Sequence, residues 1–213
     1  KHYQTYYTTR EANENMWHPP MHRTTQSPRR GDPAQGVHDF LRAYYHHKTA
    51  DWKGNKPFEL AGWTAEELAR MPTYYIMDLA EGMSETVARE MPSAAEIVAN
   101  KWLTEPELEV YGDEYTRNGF QGGLNWYRVR TTGRMMGELE VFAGRTIDVP
   151  ATFISGSSDW GIYQTPGAIR RMQQTACTRM KDIHLVDGAG HWVQQEQPDE
   201  VNRLLLQFLG TPT

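Results

Sequence analysis

The chain has 213 residues, 22 basic and 27 acidic, for a formal net charge of −5. A mildly acidic balance argues against nucleic acid or an anionic membrane as a partner. Hydrophobic residues make up 38%, lean for a self-sufficient core, yet seven Trp and eleven Tyr are present. Aromatics of that kind suit a pocket with an apolar body and polar tips. Cys177 is the single cysteine, so no internal disulfide forms and a cytoplasmic, reducing compartment is expected. No apolar run reaches the length of a membrane span, and no signal peptide is visible. The first residue is Lys1 rather than methionine, which predicts a trimmed chain or a part of something longer.

Residues 1–10 are aromatic and polar with no helical period. Residues 17–36 hold Pro19, Pro20, Pro28 and Pro33 with Arg23, Arg29 and Arg30, and read as a loop or insertion. A helix follows, with Val37, Phe40, Leu41, Tyr44 and Tyr45 on one face. Thr64 with Glu67, Ser93 with Glu96, and Thr104 with Glu107 have the spacing of the capping box. In that motif a hydroxyl and a later carboxylate satisfy the free amides of a helix start. Gly119 is expected to end the third of these helices. Residues 37–144 therefore read as mostly helical, without a clear strand.

The pattern changes near Ile147. Residues 149–155 form a short apolar run that reads as a buried strand, and residues 183–186 form a second. Residues 168–175 are a helix candidate between them. Pro198 opens a last helix whose Val201, Leu204, Leu205, Phe208 and Leu209 are expected to face inward. Strand–helix–strand–helix is the rhythm of a parallel α/β sheet. Two strands do not make a stable, doubly covered sheet, so the core is expected to need sequence beyond this chain.

Chemistry concentrates after the two strands. Gly188-Ala189-Gly190-His191-Trp192 follows the second, placing a histidine in a glycine-rich turn where open α/β sheets bind ligands. Taken alone, His191 reads equally as a surface turn residue. Asp159, in Gly156-Ser157-Ser158-Asp159-Trp160-Gly161, follows the first strand; by itself it is better read as a turn or helix cap. If the strands are parallel neighbours the two loops meet, and the carboxylate can fix the imidazole tautomer. Asp159 also has small residues around it, as in a nucleophile elbow. That reading fails because an elbow runs straight into a helix, and Pro166-Gly167 interrupts here. His18 and His22 flank two prolines, and His46 and His47 point apart on a helix; both pairs are expected at the surface. No phosphate loop, dinucleotide motif or Cys-pair metal site is visible.

The segments "VPATFISGSSD" and "HLVDGAGHWVQQEQPDEVNRLLLQFL" resemble the acid loop, histidine loop and final helix of α/β-hydrolases. Residues 117–128, "RNGFQGGLNWYR", resemble the lid motif of soluble epoxide hydrolases, and "HYQTYY" resembles the segment that enters the lid. The resemblance covers nearly the whole chain and fails at residues 21–34. It implies an α/β-hydrolase fold, represented by its C-terminal core part and a helical lid (cap). Residues 1–10 would be the lid entry, 11–36 a loop or insertion, 37–145 the lid, and 146–213 the core part. The lid would follow the nucleophile and precede Asp159, which again excludes Asp159 as the nucleophile.

The resemblance further implies an epoxide hydrolase whose attacking aspartate lies upstream, so that this chain alone is inactive. Tyr127 and Tyr3 would donate to the epoxide oxygen, with Gln4, Trp126 and Trp192 near the substrate. His191, oriented by Asp159, would activate water, and no cofactor would be needed. The substrate would be a small apolar epoxide, the upstream half of the protein the required partner, and a homodimer stays open. The alternatives are a haloalkane or haloacid dehalogenase, an esterase, and a non-catalytic fragment. The tyrosine pair disfavours a dehalogenase, because a halide leaving group needs no proton.

Overall fold

The computed structural model describes residues 1–9, 11–12, 16, 33–133 and 135–210. In chain order its helices are α1 (Tyr3–Tyr7), α2 (Pro33–His47), α3 (Ala65–Leu68), α4 (Met83–Ala88), α5 (Ala94–Ala99), α6 (Glu105–Asn118), α7 (Gln121–Thr132), α8 (Met136–Leu139), α9 (Ala168–Arg171), α10 (Val193–Glu196) and α11 (Pro198–Gly210). Strands β1 (Ala151–Gly156) and β2 (Met180–Val186) flank α9. The chain forms two compact units, one of Lys1–His47 with Thr73–Glu140, the other of Lys48–Pro72 with Val141–Thr213.

This division departs from a continuous helical block over residues 37–145. Residues 48–72 join the strands because their partners lie there. The Ala50 amide donates to Glu196 at 2.9 Å, Arg170 pairs with Glu59 at 3.0 Å, and Phe58 meets Trp160 edge-on. The only local signal in that stretch was the start of α3. There Thr64 caps the Glu67 amide, but Glu67 turns to the Ala61 amide instead of closing the box.

In the first unit α2 packs on α4 and α6, and α1 on α7. Proline suits the first turn of a helix, where its missing N–H is not needed, so α2 begins at Pro33 and takes in the last residues of the expected loop. Residues 17–32, including His18 and His22, lie outside the described residues. Val37, Phe40 and Leu41 are buried as the periodicity predicts. The expectation of surface positions for His46 and His47 is wrong, since both are buried. Enclosure by α4 and α6 leaves α2 little solvent face, and His47 packs edge-on against Tyr74. Arg42 is buried too, and donates to the Leu103 carbonyl at 2.8 Å and to Glu105 at 2.6 Å. Capping boxes close at Ser93 and at Thr104, whose amides donate to Glu96 and Glu107 at 2.8 and 2.7 Å. Gly119 ends α6.

In the second unit β1 and β2 pair in parallel, from Thr152 opposite Asp182 to Gly156 opposite Val186. An irregularity falls between Ala151 and Thr152, and an Ile147–Cys177 bridge extends the pairing upstream. The expected helix over residues 168–175 is α9 followed by a wider π turn, Met172–Ala176. Val186, Ala189 and Leu204 form a small core, with Ile154 and Val193 against it. On α11 only part of the apolar stripe is covered. Val201 and Leu204 are buried, whereas Leu205 and Leu209, expected inward, are 42% and 75% exposed. Two strands make a floor wide enough for one row of the helix, not for its whole apolar face.

Candidate functional site

Parallel pairing brings the carboxyl ends of β1 and β2 side by side, and the loops that leave them are stitched together. The Ser157 amide donates to the Val186 carbonyl at 2.9 Å and the Ser158 amide to the Ala189 carbonyl at 3.0 Å. A Cβ at Gly156 would collide with the carbonyl oxygens of Ala189 and Gly190, so only glycine allows this approach.

Asp159 and His191 meet in this seam. Nδ1 of His191 lies 3.1 Å from Oδ1 of Asp159. An ionised carboxylate can only accept, so Nδ1 carries the proton and Nε2 is left as a base. Oδ1 also accepts from the Gly161 amide at 2.7 Å, and Oδ2 from the Ser155 hydroxyl at 3.3 Å. Asp159 is thus both a cap, on the 3-10 turn Trp160–Ile162, and a histidine partner. Burial alone would raise its carboxyl. The hydrogen bond and charge of His191, the Gly161 amide and the charge of Lys48 outweigh burial and hold it below the ordinary value. The His191 side chain is 36% exposed, and Trp192 stands edge-on to it with ring centroids 4.8 Å apart.

The other expected residues gather in the first unit. Tyr3 is buried on α1 and its hydroxyl accepts from the Gln4 side chain at 3.1 Å. The Tyr127 ring, on α7, lies 5.9 Å from Tyr3 and 4.8 Å from Tyr7. Arg128 fixes this contact, because its guanidinium donates to the Thr8 and Thr9 carbonyls just past α1, at 3.4 and 3.3 Å. Burial first, then the phenols of Tyr44 and Tyr3, push the Tyr127 hydroxyl above its ordinary value. It therefore stays protonated, and a donor, at neutral pH. Trp126 precedes it by one residue, a turn of about 100° on a helix, and is 64% exposed.

Tyr7 and Ser155 also belong to these contacts. Tyr7 follows Tyr3 by four residues, a helical spacing that predicts a shared face; its hydroxyl lies 3.4 Å from that of Tyr44. Ser155 had no local signal, since a serine at a strand end has many uses. A cleft of about 320 Å³ in the second unit, bordered by Glu59, Tyr163, Arg170 and Gln174, contains none of the expected residues. Among the described residues no three His, Cys, Asp or Glu side chains gather as a metal site.

No family model matches the chain. It is similar to epoxide hydrolase A of Mycobacterium tuberculosis, with 43% identity over 108 residues, 51% of this chain and 32% of that protein. The solved epoxide hydrolase from an endophytic Streptomyces superposes with a TM-score of 0.69 at 26% identity, covering 98% of this chain and 51% of its own. Epoxide hydrolase A from Mycobacterium thermoresistibile gives a TM-score of 0.62 at 30% identity, covering 97% and 51%. The chain thus spans about half the length of these solved structures.

Proposed function

The chain is epoxide hydrolase-like, part of an α/β-hydrolase core with a helical unit, and on that premise we propose that it serves an enzyme opening epoxides to diols. The helical unit acts as the cap. The observation that carries the reading is the packing of Tyr127 on Tyr3, two phenols in segments that resemble the lid of such enzymes.

An aspartate supplied from outside this chain attacks an epoxide carbon. The carbon–oxygen bond breaks and its electron pair goes to oxygen. Tyr3 and Tyr127 stabilise that oxygen and supply a proton. The product of this step is an ester between the aspartate and the opened substrate. His191, with Nδ1 held by Asp159, then takes a proton from water through Nε2, and the resulting hydroxide hydrolyses the ester. Gln4 holds the Tyr3 hydroxyl and Trp192 stands against His191; the substrate is a small apolar epoxide. No cofactor takes part. A reducing, cytoplasmic setting suits the single, buried Cys177.

The reading predicts no turnover by this chain alone and turnover on co-expression with an upstream half bearing the nucleophile. The assay is conversion of an aryl epoxide to its diol. Hydrolysis by residues 1–213 alone, in a sample of verified mass, would contradict it, as would silence of the complemented protein.

A further inference from the structure

The turn that carries His191 has a second anchor. Glu196 ends α10, five residues after the histidine. Its Oε2 accepts from the amides of Ala50 at 2.9 Å and Gly190 at 3.0 Å. Its Oε1 accepts from the amide of Trp192 at 3.0 Å. The amides of the residues on both sides of His191 therefore end on one carboxylate, which also binds the amide of Ala50, in a bend far earlier in the chain. Between them, the His191 amide donates to the Lys48 carbonyl at 2.9 Å. Gly190 lies so close to residues 48–50 that a Cβ would strike their backbone.

A half-buried carboxylate is costly unless it is satisfied. Burial raises the Glu196 carboxyl, and Asp51 adds to that rise, while the three amides act against both. Charge-assisted bonds from three amides give this carboxylate the satisfaction it needs. Their geometric effect falls on His191. With the backbone fixed at 190 and 192, the direction of the histidine Cα–Cβ bond is fixed, and only two side-chain torsions remain to aim Nδ1 at Asp159. A catalytic group displaced by about 1 Å can lose on the order of 100-fold in rate.

We infer that Glu196 is a positioning residue, which sets the backbone of residues 190–192 so that His191 faces Asp159. It touches neither substrate nor the reacting atoms and acts through His191. The inference rests on the reading of His191 as the base of the hydrolytic step, but its test needs no turnover.

The test is hydrogen exchange by NMR on the protein complemented with an upstream half, this chain ¹⁵N-labelled, as wild type, Glu196→Ala and Glu196→Gln. The probes are the His191 Nδ1 proton and the amides of Ala50, Gly190 and Trp192. In Glu196→Ala all four are expected to exchange faster by on the order of tenfold or more, while β1 and β2 amides keep their protection. Glu196→Gln is expected to restore part of the loss, because its one carbonyl oxygen can still accept. Faster amides with an unchanged Nδ1 proton would make Glu196 a structural staple and overturn the inference. So would no change at all, or loss of strand protection in both variants. A failure of the epoxide chemistry would show instead in the substrate assays and leave these exchange rates as they are.

Discussion

The two units hold their polar groups by different means. In the second, Asp159 and His191 sit among backbone amides and carbonyls, and the loops approach so closely that Gly156 admits no side chain. In the first, Tyr3, Tyr7, Tyr44 and Tyr127 are held by ring packing, with hydroxyl contacts as long as 3.4 Å. Backbone bonds fix one geometry, whereas packed rings tolerate small shifts and offer several phenols. Loss of a group should therefore be severe in the second unit and partial in the first.

Asp159→Asn is the strongest way to break this contrast. It removes the carboxylate that fixes the imidazole tautomer, and turnover of the complemented enzyme should fall roughly 1000-fold or more. A loss below tenfold in steady-state assays would place the histidine under other control. The same pair gives a pH signature. The Asp159 carboxyl is depressed below its ordinary 3.8 in the folded chain, so its contribution to stability is full above that value. It should vanish as pH falls through the lower folded value. Thermal melts of wild type and Asp159→Asn should differ above about pH 4 and converge in stronger acid.

Tyr127→Phe sharpens the comparison from the other side. Removing one positioned donor to a developing oxyanion costs on the order of 100-fold, and Tyr3 should keep the loss from going further. Pre-steady-state ring opening should slow while the melting temperature barely moves. A silent substitution would transfer the donor role to a neighbour, Tyr7 first.

The smallest effect should come from an exposed helix end. Ser93→Ala removes the hydroxyl that caps the Glu96 amide at 3.3 Å, and should cost about 1 kcal/mol in denaturant titration with no change in rate. An activity loss on that substitution would mean that the helical unit is coupled to chemistry through its ends.

Much of this was legible in the residues themselves. Asp159 and His191 each follow an apolar run and stand among glycines, so their meeting required only that the strands be parallel neighbours. Val37, Phe40 and Leu41 announced the buried face of α2, and Gly119 the end of α6. What escaped depends on partners distant in sequence. Glu196 looks like any charged residue near a helix end until Ala50 arrives beside it. Residues 48–72 carry a weak helical signal and belong with the strands for reasons of contact alone. His46 and His47 are buried because neighbouring helices surround α2, and no periodicity within α2 shows that. Leu205 and Leu209 erred the other way. An apolar stripe predicts a buried face only where the floor beneath it is wide enough.

In the proposed two-step reaction tyrosines serve the first step and His191 the second, and one measurement separates the steps. The complemented His191→Gln protein is exposed to an epoxide, quenched and weighed intact by mass spectrometry. Ring opening should proceed, the ester should not be hydrolysed, and the half bearing the nucleophile should gain the mass of one epoxide molecule. Unchanged masses in both halves, with diol formation continuing at the wild-type rate, would contradict it.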